Sequence, residues 1–99
     1  MNLTIQQTSK VPIYVQVEEQ IRSLIAAGRL KPGDQLPTIR ELAAELRVNY
    51  NTIARVYLDL AREGLISTQR GRGTFVAGVS DARQMARLHQ EKLEAIVRT

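Results

Sequence analysis

The apolar residues between residues 12 and 61 recur at intervals of three and four, which is the spacing of one helix face. The first group is Val17, Ile21, Leu24 and Ile25, with Tyr14 at its head. The second group is Ile39, Leu42, Ala43 and Leu46. The third group is Ile53, Val56, Tyr57 and Leu60. The pattern therefore predicts three amphipathic helices, the first of which runs from Pro12 to about Ala27.

Polar residues mark where the second and third helices begin and end. Thr38 can cap the second helix, and Glu41 stands three residues later, where its carboxylate can reach back to the free backbone N–H of the cap. Asn49 or Asn51 can cap the third helix, and Gly64 ends it. Two short helices joined by a tight turn are the geometry that places a recognition helix in the major groove of DNA.

After Gly64 the pattern changes to β-forming residues. Residues 65–69 and 74–77 predict two strands, and the segment between them is Arg70-Gly71-Arg72-Gly73. Residues 35–36 can pair briefly with these strands. A helix-turn-helix followed by a hairpin with a cationic tip is a winged helix, so the predicted fold is α+β, with three helices and a small β-hairpin wing.

Two further segments flank the predicted winged-helix domain at residues 11–78. Residues 1–10 are polar and predict an N-terminal arm, in which Ile5 can pack locally. Residues 79–99 predict an additional C-terminal helix with a broad apolar face. That face indicates a homodimer, or else a helix that folds back onto its own domain. The apolar pattern is still running near Thr99, so we expect a truncated or unusually short chain.

Several ordered motifs resemble the DNA-binding domain of the GntR family of bacterial transcription regulators. They read LPTIRELA at residues 36–43, VNYNTI at 48–53, EGLI at 63–66 and RGRGTFV at 70–76. The opening PIYVQV at residues 12–17 is most similar to the small YtrA-like branch. The resemblance implies a repressor that binds a palindromic double-stranded DNA operator as a homodimer. It does not identify an effector molecule.

The distribution of charge agrees with a nucleic-acid partner. The net charge is +4, from 14 basic and 10 acidic side chains. Between Leu46 and Leu58 the chain has two arginines and no acid, and the same is true between Gly64 and Ser80. Phosphates attract such cationic segments through counterion release, which makes binding depend steeply on salt.

The candidate DNA contacts fall into three groups. At the second helix they are Thr38 and Arg40, and an arginine can hold guanine through two hydrogen bonds. Arg40 could instead pair with Glu41 on the protein surface. At the third helix the candidates are Asn49, Tyr50, Asn51, Thr52 and Arg55. The asparagines could instead act only as helix caps, and Tyr57 is expected in the core.

The wing supplies the third group of contacts, which is Arg70, Gly71, Arg72 and Gly73. The glycines allow tight bends and a close approach to the duplex. Arg72 can enter a narrow minor groove, and Arg70 can hold the flanking phosphate. A plain solvated turn would also need glycine, but it has no need for two arginines.

Other classes of function receive little support from the sequence. The chain has no cysteine, and neither metal-ligand spacing nor a nucleotide-binding loop is present, so we expect no cofactor and no enzymatic activity. His89, the single histidine, is assigned no role. No apolar run predicts a membrane span or a secretion signal, which favours a cytoplasmic protein. The alternative to DNA binding is a winged helix that binds another protein.

Overall fold

A computed structural model describes residues 1–78 of the chain. Its helices are α1 (Ile13–Ala26), α2 (Ile39–Leu46) and α3 (Tyr50–Arg62), and its strands are β1 (Gln35–Leu36), β2 (Ile66–Gln69) and β3 (Gly73–Val76). This arrangement confirms the predicted α+β winged helix-turn-helix. The predicted C-terminal helix and its dimerisation face lie outside the described residues.

The three predicted apolar faces meet in one core. Its fully buried side chains are Val17, Ile21, Leu42, Ile53, Val56 and Leu60. Each buried aliphatic side chain of this kind contributes roughly 1.5–3 kcal/mol relative to exposure. Tyr57 is also buried, at 4% exposure, which confirms that it belongs to the core. The core fixes α2 and α3 against α1 and leaves the first turns of α2 and α3 at the surface.

Both helices of the helix-turn-helix begin at the predicted caps. The backbone N–H of Glu41 donates to Thr38 Oγ1 at 3.0 Å, and the backbone N–H of Thr38 donates to Glu41 Oε1 at 3.3 Å. This is the predicted capping box. At α3 the cap is Asn49, whose Oδ1 accepts from the backbone N–H of Asn51 at 2.8 Å. The choice between the two asparagines is therefore settled in favour of Asn49.

The turn between α2 and α3 contains a conformation that the sequence does not predict. Arg47 has a left-handed backbone with φ of 57°, and the following Val48 N–H donates to the Ala43 carbonyl at 3.0 Å. Glycine normally occupies such a position, because a Cβ there costs roughly 1–2 kcal/mol. In this helix-turn-helix, an arginine and not a glycine adopts the left-handed conformation that ends α2.

The sheet joins the wing to the start of α2. The strand order is β1-β3-β2, and both pairings are antiparallel. Gln35 lies opposite Phe75 on β3, and Gln69 on β2 lies opposite Gly73. The short pairing predicted for residues 35–36 is confirmed. Because α2 begins three residues after β1, the wing and α2 are fixed relative to each other.

The N-terminal arm is attached to α1 by two glutamine side chains. Gln20 Oε1 accepts from the Thr4 N–H at 2.9 Å, and Gln20 Nε2 donates to the Thr4 carbonyl at 2.6 Å. Gln16 makes the same pair of hydrogen bonds with the backbone of Gln6, at 2.9 and 3.1 Å. Leu3 and Ile5 pack against the core. The arm therefore packs more extensively than the predicted local contact of Ile5.

Candidate nucleic-acid interface

The predicted DNA contacts lie at the first turns of α2 and α3 and at the tip of the wing. The exposed residues among them are Thr38, Arg40, Asn49, Tyr50, Asn51, Arg55, Arg70, Gly71 and Arg72. Thr52 and Gly73 are half-buried. None of the predicted contacts is part of the core, so all of them remain candidates on grounds of exposure.

Two hydrogen bonds tie the start of α2 to the rest of the interface. The Tyr57 hydroxyl of α3 donates to the Pro37 carbonyl at 2.6 Å, and burial raises the pKa of this phenol, so it stays a neutral donor. Gln35 Nε2 donates to the Arg72 carbonyl at 3.2 Å. Residues 35–38 are therefore held by both α3 and the tip of the wing.

The first turn of α2 presents a cation without a protein partner. Within residues 1–78, Arg40 forms neither an ion pair nor a side-chain hydrogen bond. Glu41, the alternative partner, is occupied by the capping box. Thr38 accepts a hydrogen bond from Glu41, but its own hydroxyl proton remains available to a phosphate. The guanidinium of Arg40 can therefore reach a ligand outside the protein.

The first turn of α3 combines a cap with exposed polar side chains. The cap occupies Asn49 Oδ1, and the Nδ2 group of that amide remains a donor. Tyr50 is 51% exposed, an unusual degree for a large aromatic residue in this protein. Asn51 is exposed beside it, and its amide could recognise an adenine edge. This turn offers several groups suited to base edges.

Arg55 is held in a way that the sequence did not predict. Its guanidinium carbon lies 3.7 Å from the centroid of the Tyr14 ring, near the start of α1. Its Nε lies 3.9 Å from Asp59 Oδ2, and 58% of the side chain remains exposed. Tyr14 and Arg55 are 41 positions apart in the sequence, so no local pattern could reveal their contact. Tyr14 is therefore a candidate residue of this interface that the sequence did not reveal.

The wing tip has the backbone that the glycines were predicted to allow. Gly71 has φ of 80° and Gly73 has φ of 120°, both in the region that L-residues rarely adopt. The Arg72 N–H donates to the Gln69 carbonyl at 2.9 Å, which closes the turn. A Cβ at Gly73 would lie 2.7 Å from Gln35 Nε2. Arg70 and Arg72 are exposed and form no ion pair in the described part of the chain.

The acids at the C-terminal end of α3 lie close to α1. Glu63, the C-cap of α3, accepts a hydrogen bond through Oε1 from Arg22 Nη2 at 2.7 Å, and Arg22 also pairs with Glu19 at 3.0 Å. Glu18 is buried beside Asp59, and within residues 1–78 its Oε1 has no hydrogen-bond partner. Burial and the nearby Asp59 raise the pKa of Glu18 from 4.5 to about 7. These acids are thus separated along α3 from its first turn.

Residues 1–78 contain neither a candidate metal site nor a candidate membrane-spanning helix. No group of three or more acidic or histidine side chains there is arranged to hold a metal ion. In the same residues, no helix has both the length and the apolar character needed to cross a membrane.

Comparison with known proteins decides the family. Residues 13–76 match the description "Bacterial regulatory proteins, gntR family". This chain belongs to the GntR family. The match spans α1, the helix-turn-helix and both strands of the wing, and it confirms the resemblance seen in the motifs. The GntR regulators are DNA-binding proteins rather than enzymes, which agrees with the expectation from the sequence.

The relatives within the GntR family include repressors. The transcriptional repressor YtrA of Bacillus subtilis is 45% identical over 75 residues, which are 76% of this chain and 58% of that protein. The solved structure of YtrA from Sulfolobus acidocaldarius, a GntR-family transcription factor, has a TM-score of 0.76 and 43% identity, and the match covers 94% of this chain and 82% of that one. The chain therefore spans little more than half the length of the Bacillus repressor.

The similar solved structures include complexes with DNA. The AraR DNA-binding domain, in complex with operator ORX1, has a TM-score of 0.67 and 35% identity, and the match covers 78% of this chain and 96% of that domain. A domain of the same architecture thus binds operator DNA.

Proposed function

We propose that this chain is a sequence-specific transcription regulator, a repressor that acts in the cytoplasm. The observation that carries the proposal is the combination of exposed, unpaired arginines at α2 and at the wing tip with an acid-free first half of α3. Support also comes from the relatives, which include a repressor and a domain bound to operator DNA.

In the proposed complex, each element contacts a different part of the duplex. The first turn of α3 enters the major groove, where Tyr50, Asn51 and Thr52 face base edges and Asn49 adds its free Nδ2 group. Arg40 reads a base from the start of α2, while Thr38 binds a phosphate. Arg72 enters the minor groove.

The remaining wing residues and Arg55 complete the proposed contacts. Arg70 and Arg55 bind phosphates, which position the domain without reading sequence. Gly71 and Gly73 bring the wing backbone close to the duplex.

We propose further that two copies bind a palindromic operator. A homodimer with two-fold symmetry places its recognition helices in successive major grooves about one helical turn apart, ~34–36 Å. The described residues 1–78 form one winged-helix unit, which reads one half-site. The dimer contact is proposed for residues 79–99, where the sequence has its last apolar face.

Alanine variants at two arginines test the proposed contacts. Arg40→Ala should cost about 1–3 kcal/mol of operator affinity and relax the preference at one base position. Arg72→Ala should weaken binding and lower the slope of affinity against salt by about 1. Fluorescence anisotropy with operator DNA at four salt concentrations measures both quantities.

The matched control is Arg62→Ala. Arg62 lies in the last turn of α3, roughly 18 Å along the helix axis from Tyr50, and this variant should bind like the unmodified protein. Unchanged affinity in both Arg40→Ala and Arg72→Ala would show that the contacts are assigned wrongly. Equal losses in all three variants would point to net charge alone.

A further inference from the structure

The stacked pair Tyr14–Arg55 joins α1 to the proposed DNA-contacting face of α3. The guanidinium carbon lies 3.7 Å from the ring centroid, which is within the range of a strong cation–π contact. Arg55 lies four residues after Asn51, so both side chains project from the same face of α3. The pair therefore lies one helical turn from the group of side chains proposed to read bases.

Stacking leaves the hydrogen-bonding capacity of Arg55 unused. The N–H groups of a guanidinium lie in its plane, so a ring against its face blocks none of them. Within residues 1–78, the acid that pairs with Arg55 is Asp59, and its Oδ2 lies 3.9 Å from Nε, which is too far for a hydrogen bond. With 58% of the side chain exposed, Arg55 remains accessible to a ligand. The ring of Tyr14 thus restrains Arg55, while the guanidinium donors form no hydrogen bond within residues 1–78.

We propose that Tyr14 is a positioning residue for DNA binding, which holds Arg55 as a preformed fork for a backbone phosphate. The inference deepens the proposed function and rests on it. A long side chain normally loses rotamer freedom when it binds, and this loss weakens affinity. Because Tyr14 already restricts the rotamers of Arg55 in the free protein, less side-chain entropy is lost when DNA binds. Planar arginine suits both the ring face and the phosphate.

A double-mutant cycle on the full 99-residue chain tests this role. Tyr14→Leu should weaken operator binding about 2- to 10-fold, the effect of ordering one long side chain, while Tyr14→Phe keeps the ring face and should bind within about 2-fold. Arg55→Ala should weaken binding and lower the salt slope by about 1. In the Arg55→Ala background, Tyr14→Leu should have no further effect.

A second variant keeps the test decisive if Tyr14→Leu does not fold. Arg55→Lys retains the charge but lacks the planar fork, so it should lose affinity by a similar factor at an unchanged salt slope. Tyr14→Leu with the same effect in both backgrounds, or Arg55→Lys with unmodified affinity, would overturn the positioning role.

The cycle also separates this inference from the proposed function. If the unmodified chain selects an operator but the cycle shows no coupling, the positioning role alone is wrong. If the unmodified chain binds no duplex even at low salt, the proposed function is wrong and the positioning role is wrong with it.

Discussion

At the scale of single residues, the least expected feature is the buried carboxyl of Glu18. It is 5% exposed, and within residues 1–78 its Oε1 has no hydrogen-bond partner. The groups around it are Arg22 on its own helix, Asp59 on α3 and Glu63 at the C-cap of α3. Burial and the two acids outweigh the arginine, so the pKa rises to about 7. Near neutral pH, a proton on Glu18 relieves the repulsion from Asp59.

Protein stability should therefore depend on the ionisation of Glu18. Because its pKa is higher in the folded state than the usual 4.5, the folded protein binds a proton that the unfolded protein releases between about pH 4.5 and pH 7. The contribution of Glu18 is fully present below this window and declines as the pH rises through it. The decline totals about 3 kcal/mol at most, at 1.36 kcal/mol per pKa unit.

Glu18→Gln tests this linkage, because the amide is neutral at every pH. At pH 8 its free energy of unfolding should exceed that of the unmodified protein by about 1–3 kcal/mol. The difference should vanish or reverse near pH 5. Urea unfolding followed by circular dichroism at pH 5, 6, 7 and 8 measures the free energy of unfolding of both proteins. Subtracting one value from the other cancels the contributions of the titrating groups that the two proteins share.

The control for Glu18 is Glu19→Gln on the exposed side of α1. The free energy of unfolding of Glu19→Gln should stay within ~0.5 kcal/mol of that of the unmodified protein at each pH, as for an ordinary surface substitution. A constant difference between Glu18→Gln and the unmodified protein across the pH range would contradict the raised pKa.

At the scale of secondary-structure elements, the wing depends on two glycines for different reasons. Gly71 has open space around its Cα and needs only its positive φ, whereas Gly73 has both a positive φ and the Gln35 side chain in the way of a Cβ. Gln35 also donates to the Arg72 carbonyl at the tip of the wing. Substitutions at the two glycines therefore distinguish the effect of backbone strain from the effect of the contact between the Gln35 side chain and the wing.

Alanine at each glycine should show this difference. Gly71→Ala should destabilise the protein by about 1 kcal/mol through strain alone. Gly73→Ala should destabilise it more, because the side chain of Gln35 must also move, and its DNA affinity should fall as the wing shifts. Thermal unfolding and operator titration of both variants provide the measurement. Equal stability losses and equal affinities would show that the Gln35 contact has no influence on the wing.

The elements themselves were largely predictable from the sequence, because local signals specify them. The capping box at Thr38 and Glu41, the glycine after α3 and the β-forming residues of the wing each act within a few positions. The left-handed Arg47 was not predicted, because position 47 itself carries neither the glycine nor the asparagine that usually marks such a turn.

At the scale of the whole molecule, the features that sequence reasoning missed are contacts between distant segments. Tyr14 meets Arg55 from another helix, and Gln16 and Gln20 hold an arm 10 to 16 residues away. The candidate site was predictable where exposure and charge follow from one helix turn or one hairpin. It was not predictable where a contact depends on tertiary packing, as the contact between Tyr14 and Arg55 does.

Within residues 1–78, the cationic elements of the winged helix are fixed to one another. β1 joins the wing to α2, the Tyr57 hydroxyl joins α3 to the same segment, and Tyr14 joins α1 to Arg55. Such a molecule should read a defined sequence rather than bind phosphate indiscriminately.

The most direct measurement is selection from a pool of random duplexes by the full chain, over a salt series, with the mass of the complex determined alongside. For a dimeric, sequence-specific regulator we expect enrichment of an inverted repeat, affinity that falls steeply with salt, and a complex of two chains per duplex. No binding at low salt, or salt-sensitive binding without any enriched sequence, would contradict a sequence-specific regulator.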